Sequence, residues 1–228
     1  MEPDQRPDPL ARWRAGGPNG KTICFLGDST TAVATNFHER LRTVHCSPGG
    51  VLAGAETLNY GDDGSTLAAF LADTREHGVT VAIAAQADLY VLCYGLNDIR
   101  REPLTMEQFR ARIAEAIDRL RAGAPNADIL LRTPNLMLSQ NTSYYVYLQP
   151  DESAQVYTDR MRDAYLGLQG RWPNVLVWDA MAEVFGTESL PTHPLLADQL
   201  HPNAAGEIAL ADALVQVIAP AGARIEPV

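Results

Sequence analysis

A serine, a histidine with an acid three residues before it, and an asparagine beside a glycine turn are the positions in this chain best able to do chemistry. Ser29 stands in Gly27-Asp28-Ser29-Thr30, directly after the apolar run Ile23-Cys24-Phe25-Leu26. A short strand, a glycine turn and a helical pattern beyond it place the hydroxyl at a strand's C-terminal edge and a helix N-terminus. Free backbone N–H groups and the helix dipole meet there and stabilise an anion that forms beside it. Serine is a poor nucleophile until a base takes its proton. His201 can be that base, because Asp198 precedes it at a three-residue interval and can hold one ring nitrogen while the other faces Ser29. An oxyanion needs donors fixed before reaction, and the Ser29 N–H, the Gly61 N–H and the Asn97 side-chain amide would supply three. Taken alone, Asp28-Ser29 before a helix reads equally as an N-cap.

The elements that must carry these residues alternate. The spacing predicts strands at Thr22–Leu26, Glu56–Tyr60, Leu89–Tyr94, Asp128–Arg132 and Val175–Trp178. It predicts helices over Thr30–Val44 (apolar at Val33, Phe37 and Leu41), Ser65–His77, Thr105–Ala122, Ser153–Gly170 and Asn203–Ile218 (inward through Ile208, Leu210, Leu214 and Val217). Alternating strands and helices imply parallel strands joined by right-handed crossovers, hence an α/β fold, a three-layer α/β/α sandwich on a five-stranded parallel sheet. Ligands bind outside the carboxyl ends of such strands. That edge collects Ser29, Gly61, Gly95-Leu96-Asn97-Asp98 and Asp198-Gln199-Leu200-His201-Pro202.

On these four blocks, present in order, the chain resembles the SGNH hydrolases, also called GDSL esterases and lipases, from about Thr22 to about Ile218. Thr30 departs from the leucine of the family name and bears on packing rather than on chemistry. The resemblance implies a flavodoxin-like sandwich with Ser29 as nucleophile, His201 as base, Asp198 as its orienting acid, and Gly61 and Asn97 in the oxyanion hole. It also implies acyl transfer to water through an acyl-Ser29 intermediate, with no metal or organic cofactor. The expected substrate is a small acyl ester, acetyl first, on a carbohydrate. A short-chain lipase, lysophospholipase or thioesterase is the alternative, and a non-catalytic binding domain a distant one.

Composition excludes other classes. At 228 residues, with 46% hydrophobic and 20% charged, the chain can bury one substantial core. A net charge of -10 argues against nucleic acid or an anionic membrane surface as partner. Cys24 and Cys93 sit inside strand-like runs and read as buried thiols, Cys46 as an exposed one, and no Cys/His ligand spacing appears. Residues 1–20 read as a flexible N-terminal arm without an apolar signal sequence, and 21–228 as the domain, so a cytoplasmic protein is expected, or a secreted one if the chain is a processed form. The long connection 133–150 holds Tyr144, Tyr145 and Tyr147 and is expected to wall the substrate site. Weaker candidates for substrate contact are Asp28 and His193. His38, His45 and His77 have no acid at a suggestive spacing and read as structural, as do Asp62, Asp63 and Asp98 as turn residues and Asp179 as a helix cap.

Overall fold

The three central strands of the sheet, Thr22–Gly27, Leu89–Cys93 and Asp128–Arg132, are buried on both faces, as a sheet covered on both sides requires, while the edge strand Glu56–Gly61 is partly exposed. The computed structural model describes residues 7–138 and 154–220. Strands β1 (Thr22–Gly27), β2 (Glu56–Gly61), β3 (Leu89–Cys93), β4 (Asp128–Arg132) and β5 (Val175–Trp178) pair in parallel in the order β2-β1-β3-β4-β5. The expected five-stranded flavodoxin-like sandwich is the observed one, and the register Gly27↔Gly61 and Gly27↔Cys93 brings the ends of β2, β1 and β3 to one edge.

Alternate strand residues divide between two cores. Cys24, Leu26, Tyr90, Leu92, Ile129 and Leu131 pack with helices α4 (Leu67–Leu71), α5 (Val79–Ala84), α7 (Met106–Gly123) and α8 (Ala154–Leu166). Ile23, Phe25, Leu89, Val91, Leu130 and Trp178 pack on the other face with α1 (Ala11–Arg14), α3 (Thr35–Arg40), α9 (Ala204–Ile218) and the π-helical turn Met181–Phe185. Helix α7 is as its spacing predicts: Phe109, Ile113, Ile117 and Leu120 are buried, and Thr105 and Gln108 form a reciprocal capping box.

Four expectations are corrected. Residues 7–20 are not a loose arm: Leu10 and Trp13 are buried, the Trp13 indole N–H donates to the Ile218 carbonyl at 2.7 Å, and Lys21 Nζ donates to the carbonyls of Arg12, Trp13 and Ala15. Two large apolar side chains outweigh the surrounding Pro, Asp and Arg. The helix expected over Thr30–Val44 is broken into α2 (Ser29–Ala32), α3 and a π-helical turn at Leu41–His45, leaving Val33 54% exposed. β-Branched Thr30, Thr31 and Val33 lose rotamer freedom in a helix, and the chain exits α2 at Val33. The Ser65–His77 helix shrinks to α4, capped by Thr66 and followed by Asp73 at φ 52°, and α5 forms in a stretch left unassigned. In α9 the inner face is Leu210, Ala211, Leu214, Val215 and Ile218, and Ile208 faces outward.

Candidate active site

Ser29 opens α2 immediately past β1. Its N-cap is Asp28, whose carboxylate accepts from the Thr30 N–H at 3.0 Å and the Thr30 hydroxyl at 2.9 Å. Asp28 is 1% exposed, so it shapes the turn from beneath and does not reach a ligand as the sequence allowed. Burial pushes its carboxyl above the usual range, opposed by the Thr30 bonds and by the charges of Arg132 and His201.

The Ser29 hydroxyl lies 3.0 Å from His201 Nε2, and His201 Nδ1 lies 2.8 Å from Asp198 Oδ2. Asp198 Oδ1 accepts from the backbone N–H groups of Leu200 at 2.8 Å and His201 at 2.7 Å. The carboxylate therefore builds the turn that aims the ring. Burial alone would raise the Asp198 carboxyl, but the bonds from His201 and Leu200 hold it below the usual range. The turn is closed by Ala197 N–H to the His201 carbonyl at 2.8 Å and fastened to the domain by Asn135 Nδ2 to the Leu200 carbonyl at 3.4 Å and Leu138 N–H to the Gln199 carbonyl at 2.9 Å.

Helix α6 (Leu96–Arg101) follows β3 after Gly95, whose φ of 139° only glycine tolerates well. It carries Asn97, which is 4% exposed and whose side chain bonds to no described residue. Next to it Asp98 is fully buried, and its Oδ1 accepts from Leu67 N–H at 2.9 Å at the start of α4. Leu96 and Leu200, the neighbours of Asn97 and His201, pack in one apolar cluster with Ile99, Met137, Tyr157 and Met161.

Gly61 differs from expectation. A Cβ there would collide with the Ala32 backbone nitrogen, so its glycine serves the approach of β2 to α2, and its N–H already donates to Asn59 Oδ1 at 3.0 Å. Gly64, at φ 66° in the same loop, has an N–H that bonds to no described residue. The loop itself is held by Asp62, which accepts from the His77 N–H at 3.0 Å and pairs with His77 Nδ1 at 3.1 Å while the His77 ring stacks on Tyr60. Asp62 is thus no solvated turn residue, and its partner fifteen residues on could not be read from local spacing. Asp179 accepts from Ala182 N–H at 3.4 Å, as a cap, and also pairs with Arg162. His193 Nδ1 accepts from Leu195 N–H at 3.2 Å within its own turn, while Tyr144, Tyr145 and Tyr147 lie outside the described residues. Burial pushes the Cys24 thiol up to about 12 and that of half-buried Cys46 to about 11, which leaves both protonated.

A parallel sandwich with a serine, a histidine and an aspartate in one hydrogen-bonded chain at the carboxyl edge defines a class, that of serine hydrolases built on a flavodoxin-like sheet. The match of the GDSL-like lipase/acylhydrolase family to residues 25–207 makes the narrower assignment: the chain belongs to that family of ester-hydrolysing enzymes. Comparison with curated proteins gives no match. Among solved structures the chain is similar to a GDSL-like lipase from Bacteroides thetaiotaomicron, at 16% identity and a TM-score of 0.63, covering 87% of each chain. It is also similar to a lipase/acylhydrolase from Enterococcus faecalis, at 19% identity and a TM-score of 0.59, covering 87% of this chain and 95% of that one. A member of the lipolytic G-D-S-L family from Veillonella parvula follows at 15% identity and a TM-score of 0.57, with 86% and 97% covered. At these identities the likeness is one of fold.

Proposed function

We propose that the chain hydrolyses small acyl esters, acetyl first, on a carbohydrate through an acyl-Ser29 intermediate. The observation that carries this is the unbroken chain Ser29 Oγ, His201 ring, Asp198 carboxylate. Ser29 Oγ attacks the ester carbonyl as His201 Nε2 takes its proton. The same nitrogen then gives that proton to the departing alcohol. A water, deprotonated by His201, attacks the acyl-serine, and the proton returns to Ser29 as the acid leaves. Asp198 holds the ring and stabilises its charged form. The Asn97 amide and the Ser29 N–H are the oxyanion donors, and Gly64 replaces Gly61 as the third because the Gly61 N–H is engaged by Asn59.

A short acyl group is favoured by the packed wall of Leu96, Met137, Met161 and Leu200 beside Asn97 and His201. A soluble sugar ester is favoured over a lipid by the net charge of -10, and among the described residues no helix is long and apolar enough to cross a membrane. The test is hydrolysis of p-nitrophenyl acetate, butyrate and octanoate by wild type and Ser29→Ala, with and without EDTA. Wild type should cleave acetate fastest and be indifferent to EDTA, and Ser29→Ala should be folded and inert. Preference for octanoate would replace the acetyl reading with a lipase; cleavage by Ser29→Ala would remove Ser29 from its role.

A further inference from the structure

Beneath the nucleophile turn lies a buried polar site that the chemistry above does not use. Arg132 ends β4, is 5% exposed, and has no carboxylate within ion-pair distance among the described residues. Its Nη2 donates to Asn135 Oδ1 at 3.3 Å, while its Nε–H, also buried, has no partner among the described residues. His38 of α3 faces the same space. Its Nε2 meets the Thr31 carbonyl at 3.2 Å, which fixes the proton on Nε2 and leaves Nδ1 an acceptor, and that Nδ1 is buried without a partner among the described residues. Burial, and then the nearby Arg132 charge, push the His38 ring toward its neutral form against the Thr31 bond, in keeping with that tautomer.

Arg132, His38, Thr30, Thr31 and Cys93 line one small cavity of about 10 Å³. One water needs about 10–15 Å³ and at least two polar partners. Here one partner is a donor and the other an acceptor, each complementary to a different part of a water molecule. Buried polar groups of this kind are nearly always satisfied, by protein or by ordered water.

We propose that this cavity binds one ordered water that accepts from Arg132 Nε–H and donates to His38 Nδ1, making Arg132 a positioning residue for Ser29 and His201. The water closes a chain that runs from the Thr31 carbonyl, two residues past Ser29, through His38, the water, Arg132 and Asn135 to the carbonyl of Leu200, the neighbour of His201. The chain joins the nucleophile's helix to the base's turn through the interior and so fixes their 3.0 Å separation. The positioning half of this statement rests on the roles given above to Ser29 and His201; the water site does not.

A crystal structure of the wild type at a resolution that orders waters decides the site: density within hydrogen-bond distance of both Arg132 Nε and His38 Nδ1 is expected, and a dry cavity overturns it. Kinetics decide the role. Arg132→Met should lower kcat roughly 10- to 100-fold, the scale of a misplaced reacting pair, with KM near that of wild type. Arg132→Lys keeps the charge and loses the Nε–H and the fork to Asn135, so it should be impaired to a similar degree. Full kcat in folded Arg132→Lys would show that charge alone matters and overturn the positioning role, as would full kcat in Arg132→Met. If Arg132→Met does not fold, Arg132→Lys and His38→Phe, which removes both the Nδ1 acceptor and the Nε2–H donated to Thr31, carry the kinetic test, and His38→Phe should show the same loss. Absence of any esterase activity in wild type would count against the roles of Ser29 and His201, while the density would still decide the water.

Discussion

The acid of the proposed triad is an exposed residue, and that sets what it would contribute. Asp198 has a side chain 55% exposed, yet one of its oxygens takes two backbone N–H groups and the other takes the His201 ring. Asp198→Asn keeps an acceptor for the turn and replaces the partner of Nδ1 with one that favours the wrong tautomer. In a buried triad that change costs about 10⁴-fold in kcat; here solvent can share the task, and a loss on the order of 10²-fold is expected, checked by kcat of Asp198→Asn against wild type on p-nitrophenyl acetate. Because Asp198 is held below the usual carboxylate range, it stays ionised as the solution is acidified. Asp198 should therefore add no acid step of its own to kcat/KM above the ordinary carboxylate range, and such a step would contradict this assignment. Asn97 has no competing partner among the described residues, so Asn97→Ala should lower kcat roughly 10²- to 10³-fold, the usual effect of deleting one oxyanion donor, with full activity refuting its role.

Among the elements, the segment before β1 shows best how tertiary contacts override local composition. Trp13 is 1% exposed, with its backbone N–H on Asp128 Oδ2 at 2.9 Å and its indole on α9's last carbonyl. It closes the face formed by α3 and α9 over β1 and β4. Trp13→Ala should destabilise the fold by about 3–5 kcal/mol, as for other buried tryptophans, read from the denaturant midpoint; a change below about 1 kcal/mol would return the segment to the status of a loose arm. The five strands and helix α7 were legible in the sequence because their apolar periodicity is continuous and their ends carry turn residues or, at Thr105, a capping box. Ser29, Asn97, Asp198 and His201 were legible because each stands in a short block at a strand end or helix start. What sequence spacing could not give were pairs closed by the fold: Asp62 with His77, Asp212 with His45 and Arg40, and Asn135 with Leu200. The surroundings of Gly61 have the same origin, since that its N–H bonds to Asn59 and that its missing Cβ admits Ala32 are facts of packing rather than of spacing.

At the scale of the molecule, two opposing sets of carboxylates govern stability against pH. Asp98 is buried at the edge of the sheet with one oxygen on Leu67 N–H and the other without a partner among the described residues, and burial raises its pKa to about 7, with the Asp28 charge adding to the rise and the Leu67 bond and Arg112 opposing it. A carboxyl raised in the fold binds its proton more tightly there than in the unfolded chain. Stability is therefore lost as pH rises from the ordinary carboxylate range through about 7. Asp198 and Asp212 are lowered in the fold, so the stability they contribute is present at neutral pH and is lost only below the ordinary carboxylate range. Between the two regimes the net charge of -10 also shrinks on acidification, which relieves self-repulsion. The protein should accordingly be more stable at about pH 5.5 than at about pH 8, with each pKa unit of the Asp98 rise worth about 1.4 kcal/mol at most. Asp98→Asn retains an acceptor for the Leu67 N–H and carries no proton to exchange, so its urea midpoint should vary less between those two pH values than that of wild type, and should exceed it at the alkaline one. A variant whose midpoint follows the wild type's pH dependence unchanged would mean that Asp98 is already neutral, or already solvated, across the whole range.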